Sequence, residues 1–129
     1  ITSEVSRILK PGGVFIIGVP NLATWYNRLF LLFGVQPPTI NPVSAHVRGF
    51  TLSGLKSFIE TDGFFQVREY RGSNFYPFPV GLSRFLSRIF PRMSVTIFAY
   101  AERTNKPGKY ITVLDTRSFE TNFFRGGRQ

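Results

Sequence analysis

Leu9-Lys10-Pro11-Gly12-Gly13-Val14-Phe15-Ile16-Ile17-Gly18-Val19-Pro20-Asn21 is the stretch on which the fold turns. Pro-Gly-Gly closes whatever comes before it, because proline lacks a backbone donor and glycine accepts a left-handed conformation. Val14 to Val19 follows as an unbroken apolar run rich in β-branched residues. A run of that kind, without polar alternation, predicts a strand covered on both faces, as in the middle of a parallel sheet. Pro20 cannot donate to a ladder and ends it. Ligands of open α/β sheets bind beyond the carboxyl ends of the strands, so Asn21 and its followers are expected to face a crevice. Gly18 inside the run allows either a close backbone or ligand approach or a small contact under a packed helix.

Outward from this strand, the N-terminal side reads as a short helix. Thr2 or Ser3 caps it, Val5, Ile8 and Leu9 share one face, and Pro11 with Gly12 stops it. On the other side, Leu22 to Gly34 predicts a helix with apolar residues almost all round: Trp25, Leu29, Phe30, Leu31, Leu32 and Phe33. Such a helix wants cover on more than one side. Gln36-Pro37-Pro38-Thr39-Ile40-Asn41-Pro42 then reads as a loop, the kind of connection that often serves as a lid. Trp25 and Tyr26 are candidates for substrate contact, against the commoner role of aromatic residues in core packing.

His46, the single histidine, is a candidate general base or substrate hydrogen-bond partner; its bland alternative is an imidazole that fixes a loop. Arg48 could grip a carboxylate or phosphate, or anchor the same loop. No second histidine and no carboxylate stands at ligand spacing, so no metal site is expected. Thr51 caps an amphipathic helix with Leu52, Leu55, Phe58 and Ile59 on one side, and Gly63 stops it. Phe65 to Arg71 alternates as a strand, and an aromatic loop follows, Asn74-Phe75-Tyr76-Pro77-Phe78-Pro79.

Leu82, Phe85, Leu86, Ile89 and Phe90 then form a helical face, with Arg84, Arg88 and Arg92 recurring every four residues. The ordinary expectation is that the apolar face packs on the sheet and the arginines are solvated. The alternative is a basic amphipathic helix lying on an anionic membrane. Ser94 to Glu102 alternates as the last strand, and from Arg103 onward the chain turns polar and basic, with a possible added strand at Tyr110 to Leu114.

Length and composition set the outer bounds. A chain of 129 residues is at most one small domain. No cysteine is present, which removes disulfides and thiolate metal sites and fits a reducing compartment. The formal charge of +9 is spread along the chain. That reads as a solvated basic surface or as a complement to a phosphate-bearing or anionic partner. No motif for specific nucleic-acid recognition accompanies it. The longest apolar block, Leu29 to Val35, is too short to span a bilayer.

Three elements in order carry a resemblance: Glu4-Val5-Ser6-Arg7-Ile8-Leu9-Lys10-Pro11-Gly12-Gly13, the apolar strand, and Pro20-Asn21. With His46-Val47-Arg48-Gly49-Phe50-Thr51, a short helix and Asp62-Gly63-Phe64, the pattern resembles the second half of a class I S-adenosylmethionine-dependent methyltransferase. Trp25-Tyr26-Asn27-Arg28-Leu29 resembles the subgroup of the methionine-biosynthesis protein W type and several glycan- or lipid-linked methyltransferases. The resemblance implies an α/β, partial Rossmann-like methyltransferase fold of strands five to seven with flanking helices. Its last strand would be antiparallel, inserted between the other two.

Residues 1–103 would be the C-terminal portion of the methyltransferase domain, and 104–129 a basic, partly disordered extension. S-adenosylmethionine would be the cofactor of the intact parent, with a small-molecule or lipid- or glycan-linked acceptor. Asn21, Trp25, Tyr26 and Arg48 would line the acceptor site and His46 would act in catalysis. The glycine-rich turn and ribose-binding acid that a cofactor site requires are absent from the sequence. The chain, beginning at Ile1, is therefore expected to be a substrate-side fragment, inactive alone and binding no cofactor tightly. Its strand edge along Val14 to Val19 is expected to be open to self-association. The expected setting is the cytoplasm, with peripheral membrane contact through Arg84, Arg88 and Arg92 under the alternative reading.

Overall fold

Turn chemistry punctuates the chain much as the sequence predicts. The computed structural model describes residues 2–38 and 49–107. Helix α1 (Thr2–Ile8) stops before Gly12, whose φ of +79° sends the chain into strand β1 (Val14–Pro20). Helix α2 (Trp25–Leu32) starts later than the apolar run predicts, because buried Thr24 is its cap and accepts from the Asn27 amide at 3.3 Å. Helix α3 (Leu52–Ile59) is capped by Thr51, whose Oγ1 accepts from Gly54 N at 3.1 Å. It runs through a tight turn at Thr61–Gly63 into strand β2 (Phe65–Ser73). Helix α4 (Val80–Ile89), a second tight turn at Pro91–Met93 and strand β3 (Thr96–Arg103) complete the described chain.

The sheet has the order β1-β3-β2, with β3 antiparallel to both neighbours. β1 and β2 therefore point the same way, joined by a helical crossover, and the last strand fills the gap between them. This mixed α/β arrangement has the reversed final strand that the resemblance implied. Alternation in β3 is strict. Ile97, Ala99 and Ala101 are inaccessible on one face, while Phe98 and Tyr100 stay exposed on the other.

The covered face holds the core. Leu55 and Ile59 of α3 meet Phe64, Phe65, Ile97, Ala99 and Ala101, with Val5, Leu9, Phe15, Ile17 and Val19 packed around them. Phe15 and Phe65 meet edge to face at 4.9 Å across the sheet. One cation sits inside this assembly. The Arg103 guanidinium donates to the carbonyls of Ser6, Phe64, Thr104 and Lys106 and lies 5.0 Å from the centre of the Phe64 ring. It ties the end of α1 to the start of β2.

Two expectations are corrected. β1 is not a strand covered on both faces in a parallel sheet: it pairs antiparallel with β3 alone, and its other edge is open among the described residues, as the fragment reading expected. Ile16 is 67 % exposed, and among the described residues that edge is bridged only once, in parallel, from Asn21 to Phe50. Gly18 lies beneath the Phe98 ring of β3, where a Cβ would come within 2.6 Å of a ring carbon.

The second correction concerns α4, which does not pack its apolar face on the sheet. It buries Ser83 and Ser87 instead and leaves Leu82, Phe85 and Ile89 exposed. The cause is close backbone approach. At Gly72 of β2 a Cβ would sit 2.8 Å from both Pro91 Cα and Ser87 O, so only small groups fit between the two elements.

Candidate functional site

At the carboxyl end of β1 the chain is held by side-chain amides. Asn21 is 1 % exposed. Its Nδ2 donates to Arg92 O at 3.0 Å and Ser94 O at 2.7 Å, and its Oδ1 accepts from Ala23 N at 2.9 Å. Asn27, also buried, donates to Leu22 O at 2.9 Å. Both amide groups of Asn21 are thus spent on backbone, and the residue joins β1, the α2 entry and the turn before β3. Leu22 N donates to Phe50 O at 2.9 Å, which seats the start of α3 beside this end of β1.

The cleft that results holds about 230 Å³ and is lined by Ala23, Arg28, Thr51, Leu52, Ser53 and Arg92. Arg28 Nε donates to Ala23 O at 3.0 Å. The crevice expected beyond the strand tip is therefore present, small and cationic, formed where α2, α3 and the Pro91–Met93 turn converge.

Neither Asn21 nor the Trp25–Tyr26 pair lines this cleft; the two rings meet edge to face at 5.8 Å, half-buried, at the start of α2. Trp25 Nε1 donates to Tyr76 O at 2.9 Å, and its ring lies 6.1 Å from that of Phe78. The indole thereby binds α2 to the aromatic loop that follows β2, across the ends of two like-directed strands. Ser83 Oγ holds the same loop from the α4 side, accepting from Phe75 N at 2.7 Å.

A larger cleft of about 820 Å³ runs between β2 and α4, with Tyr70, Arg71, Arg84, Ser87 and Arg88 on its walls. Arg71 is bonded to Glu69 at 2.8 Å, whereas Arg84 and Arg88 make no ion pair among the described residues. The buried hydroxyls of Tyr70 and Ser87 have no hydrogen-bond partner among the described residues. Burial pushes the Tyr70 phenol up to about 12, with the nearby Glu60 carboxylate adding to the rise.

His46 and Arg48 lie outside the described residues, as does the possible strand at Tyr110 to Leu114. Asn21, Trp25 and Tyr26 are brought within one end of the sheet. Arg28 and Ser53 join them there without having been singled out as site residues from sequence, and Arg92, read from sequence as part of the arginine stripe, lines this cleft instead, since their meeting depends on the crossover rather than on local spacing. Asn27 and Ser83 were legible in principle, the first as Thr24-x-x-Asn27 and the second as Ser83-x-x-x-Ser87 opposite the apolar face. Among the described residues no group of three or more His, Asp or Glu side chains could hold a metal ion.

No protein-family model matches the chain, and no curated protein matches it.

Proposed function

We propose that this chain forms the acceptor side of a class I S-adenosylmethionine-dependent methyltransferase, a fragment inactive without a cofactor-holding portion. The observation that carries the reading is the strand order. A reversed last strand lies between two like-directed strands, and a crevice opens at the carboxyl end of β1. The outer edge of β1, bridged only at Asn21–Phe50 among the described residues, is where a further strand of such a sheet would add.

The described residues do not themselves fit the cofactor. A nucleoside site of this kind needs a glycine-rich turn after a strand and a carboxylate on the ribose hydroxyls. Here β1 runs into Pro20-Asn21, and the amide of Asn21 is spent on backbone. Glu4, Glu69 and Glu102 are paired with Arg7, Arg71 and Arg68, away from the crevice. The chain's own share is to hold an acceptor beside Trp25 and Tyr26 and to keep water out with the aromatic loop. Where that acceptor is a hydroxyl or carboxylic acid, His46 is the group to take its proton at the imidazole.

Two measurements test the reading. Calorimetry of the 129-residue chain with S-adenosylmethionine is expected to show no micromolar binding. A chain extended upstream by about one hundred residues is expected to contain a strand followed by G-x-G and to bind the cofactor. Micromolar binding by the short chain, or an extension without that motif, overturns the proposal.

A further inference from the structure

We infer that α4 and the aromatic loop before it form a docking surface for an anionic phospholipid bilayer, a role independent of the methyltransferase reading. The inversion of α4 is the starting point. Its buried positions are Ser83 and Ser87, and the side it turns outward carries Leu82, Phe85 and Ile89, each 44–59 % exposed, with Val80 exposed at its first position. Tyr76 at 67 % and Phe90 at 49 % extend the apolar surface at its two ends. Leaving that much apolar surface in water is costly unless something covers it.

What covers it is indicated by charge and by place. Arg84 and Arg88 stand one turn apart on the helix, without an ion pair among the described residues, and Arg92 follows in the turn after it. From Tyr70 to Ala101 the sequence holds no aspartate or glutamate at all. Apolar side chains flanked by unopposed arginines match a surface that is apolar within and anionic at its rim, which is the headgroup boundary of a bilayer. A ten-residue helix spans about 15 Å and lies along such a boundary instead of crossing it. Among the described residues no helix is long and apolar enough to cross a membrane.

Position separates this surface from the open edge of the sheet. α4 packs against β2, while the unpaired edge belongs to β1, with β3 between them. A strand that completes the sheet at β1 therefore adds on the side away from α4. Arg84 and Arg88 line the cleft between α4 and β2 and are exposed, so they stand at the flank of the apolar face, where lipid phosphates at its rim can meet the guanidinium groups.

The test is flotation of the 129-residue chain with vesicles of phosphatidylcholine alone or mixed with phosphatidylglycerol. Binding is expected to the mixed vesicles and not to phosphatidylcholine alone. Phe85→Ser with Ile89→Ser is expected to weaken it at least about tenfold, and each of Arg84→Gln and Arg88→Gln about fivefold. All four positions are exposed, and circular dichroism checks that the variants fold. Lys10→Gln with Lys56→Gln removes two positive charges from other elements, twice what either arginine variant removes, and is expected to leave binding within about twofold.

Equal loss in that control pair would reduce the effect to net charge and overturn the assignment. So would α4 variants that bind the mixed vesicles like the parent, or full displacement from vesicles by soluble glycerophosphate. Absence of vesicle binding, with a dimer in sedimentation that Phe85→Ser and Ile89→Ser dissociate, would assign the face to a second copy and likewise overturn it.

Discussion

Helices α3 and α4 are both amphipathic, and the fold turns them in opposite directions. α3 drives Leu55 and Ile59 into the core until neither is accessible, whereas α4 buries two serines and holds Phe85 and Ile89 in solvent. The difference lies in what each helix meets. α3 lies over Ala99, Ala101 and Ile97, where the small residues of β3 leave space that large side chains fill. α4 meets the backbone of β2 at Gly72, where there is space only for hydroxymethyl groups. An apolar stripe states that something must cover a helix; it does not state that the same chain provides the cover.

Truncation in the two helices should separate them most. Leu55→Ala and Ile59→Ala are expected to cost about 2–5 kcal/mol each, since both side chains are inaccessible. Ile89→Ala and Phe85→Ala are expected to stay within about 0.5 kcal/mol, as exposed substitutions do. Urea denaturation of the four variants checks the contrast, and comparable losses in both helices would erase it.

The next effect concerns how α4 is seated. Gly72→Ala places a methyl group against Ser87 O and Pro91 Cα and is expected to destabilise by about 1–3 kcal/mol. Gly18→Ala is expected to cost less, because its neighbour is a Phe98 ring, 39 % exposed, that can swing aside. If the two glycines prove equivalent in thermal unfolding, backbone contact is not what sets the orientation of α4.

Thr51→Ala removes the hydroxyl that caps α3 and is expected to cost about 1 kcal/mol. No side chain caps α4, which follows Pro79, so α4 rests more on its packing than on its terminus.

Smallest at neutral pH is Tyr70→Phe, which deletes a buried hydroxyl without a partner among the described residues and is expected to be neutral or stabilising by up to about 1 kcal/mol. Its signature is in alkali. The folded phenol titrates at about 12 and the unfolded one near the ordinary 10, so the folded state keeps the proton longer. Stability from this group is complete below about pH 10 and is lost as pH rises toward about 12. Tyr70→Phe should flatten that decline in denaturation midpoints recorded across the interval.

Much of the fold was legible in the residues. Pro11-Gly12-Gly13, the Thr51 cap and the Gly63 stop fixed element ends by local chemistry, and Gly63 indeed holds φ +71°. The alternation of Ile97, Ala99 and Ala101 with Phe98 and Tyr100 gave the two faces of β3. Strand neighbours were less accessible to such reasoning. That β1 pairs antiparallel and not within a parallel sheet depends on what lies beside it, and an apolar run records only that its faces avoid water.

At the candidate site, the crevice was anticipated but the duty of Asn21 was not. Its amide bonds carbonyls 71 and 73 residues further on, a distance that no local pattern encodes. Arg103 looked like the start of a polar tail and is instead a buried cation held by four carbonyls, since the partners that absorb its donors come from three separate stretches.

The orientation of α4 can be read directly by thiol labelling, because the chain contains no cysteine and each introduced thiol reports alone. Phe85→Cys should label at nearly the rate of an unstructured thiol, and Ser87→Cys should be strongly protected. In α3 the order should reverse in kind, with Ser57→Cys fast and Leu55→Cys protected. A protected thiol at 85 beside a reactive one at 87 would mean that α4 turns its apolar face inward like α3, and the outward-facing docking surface would not exist.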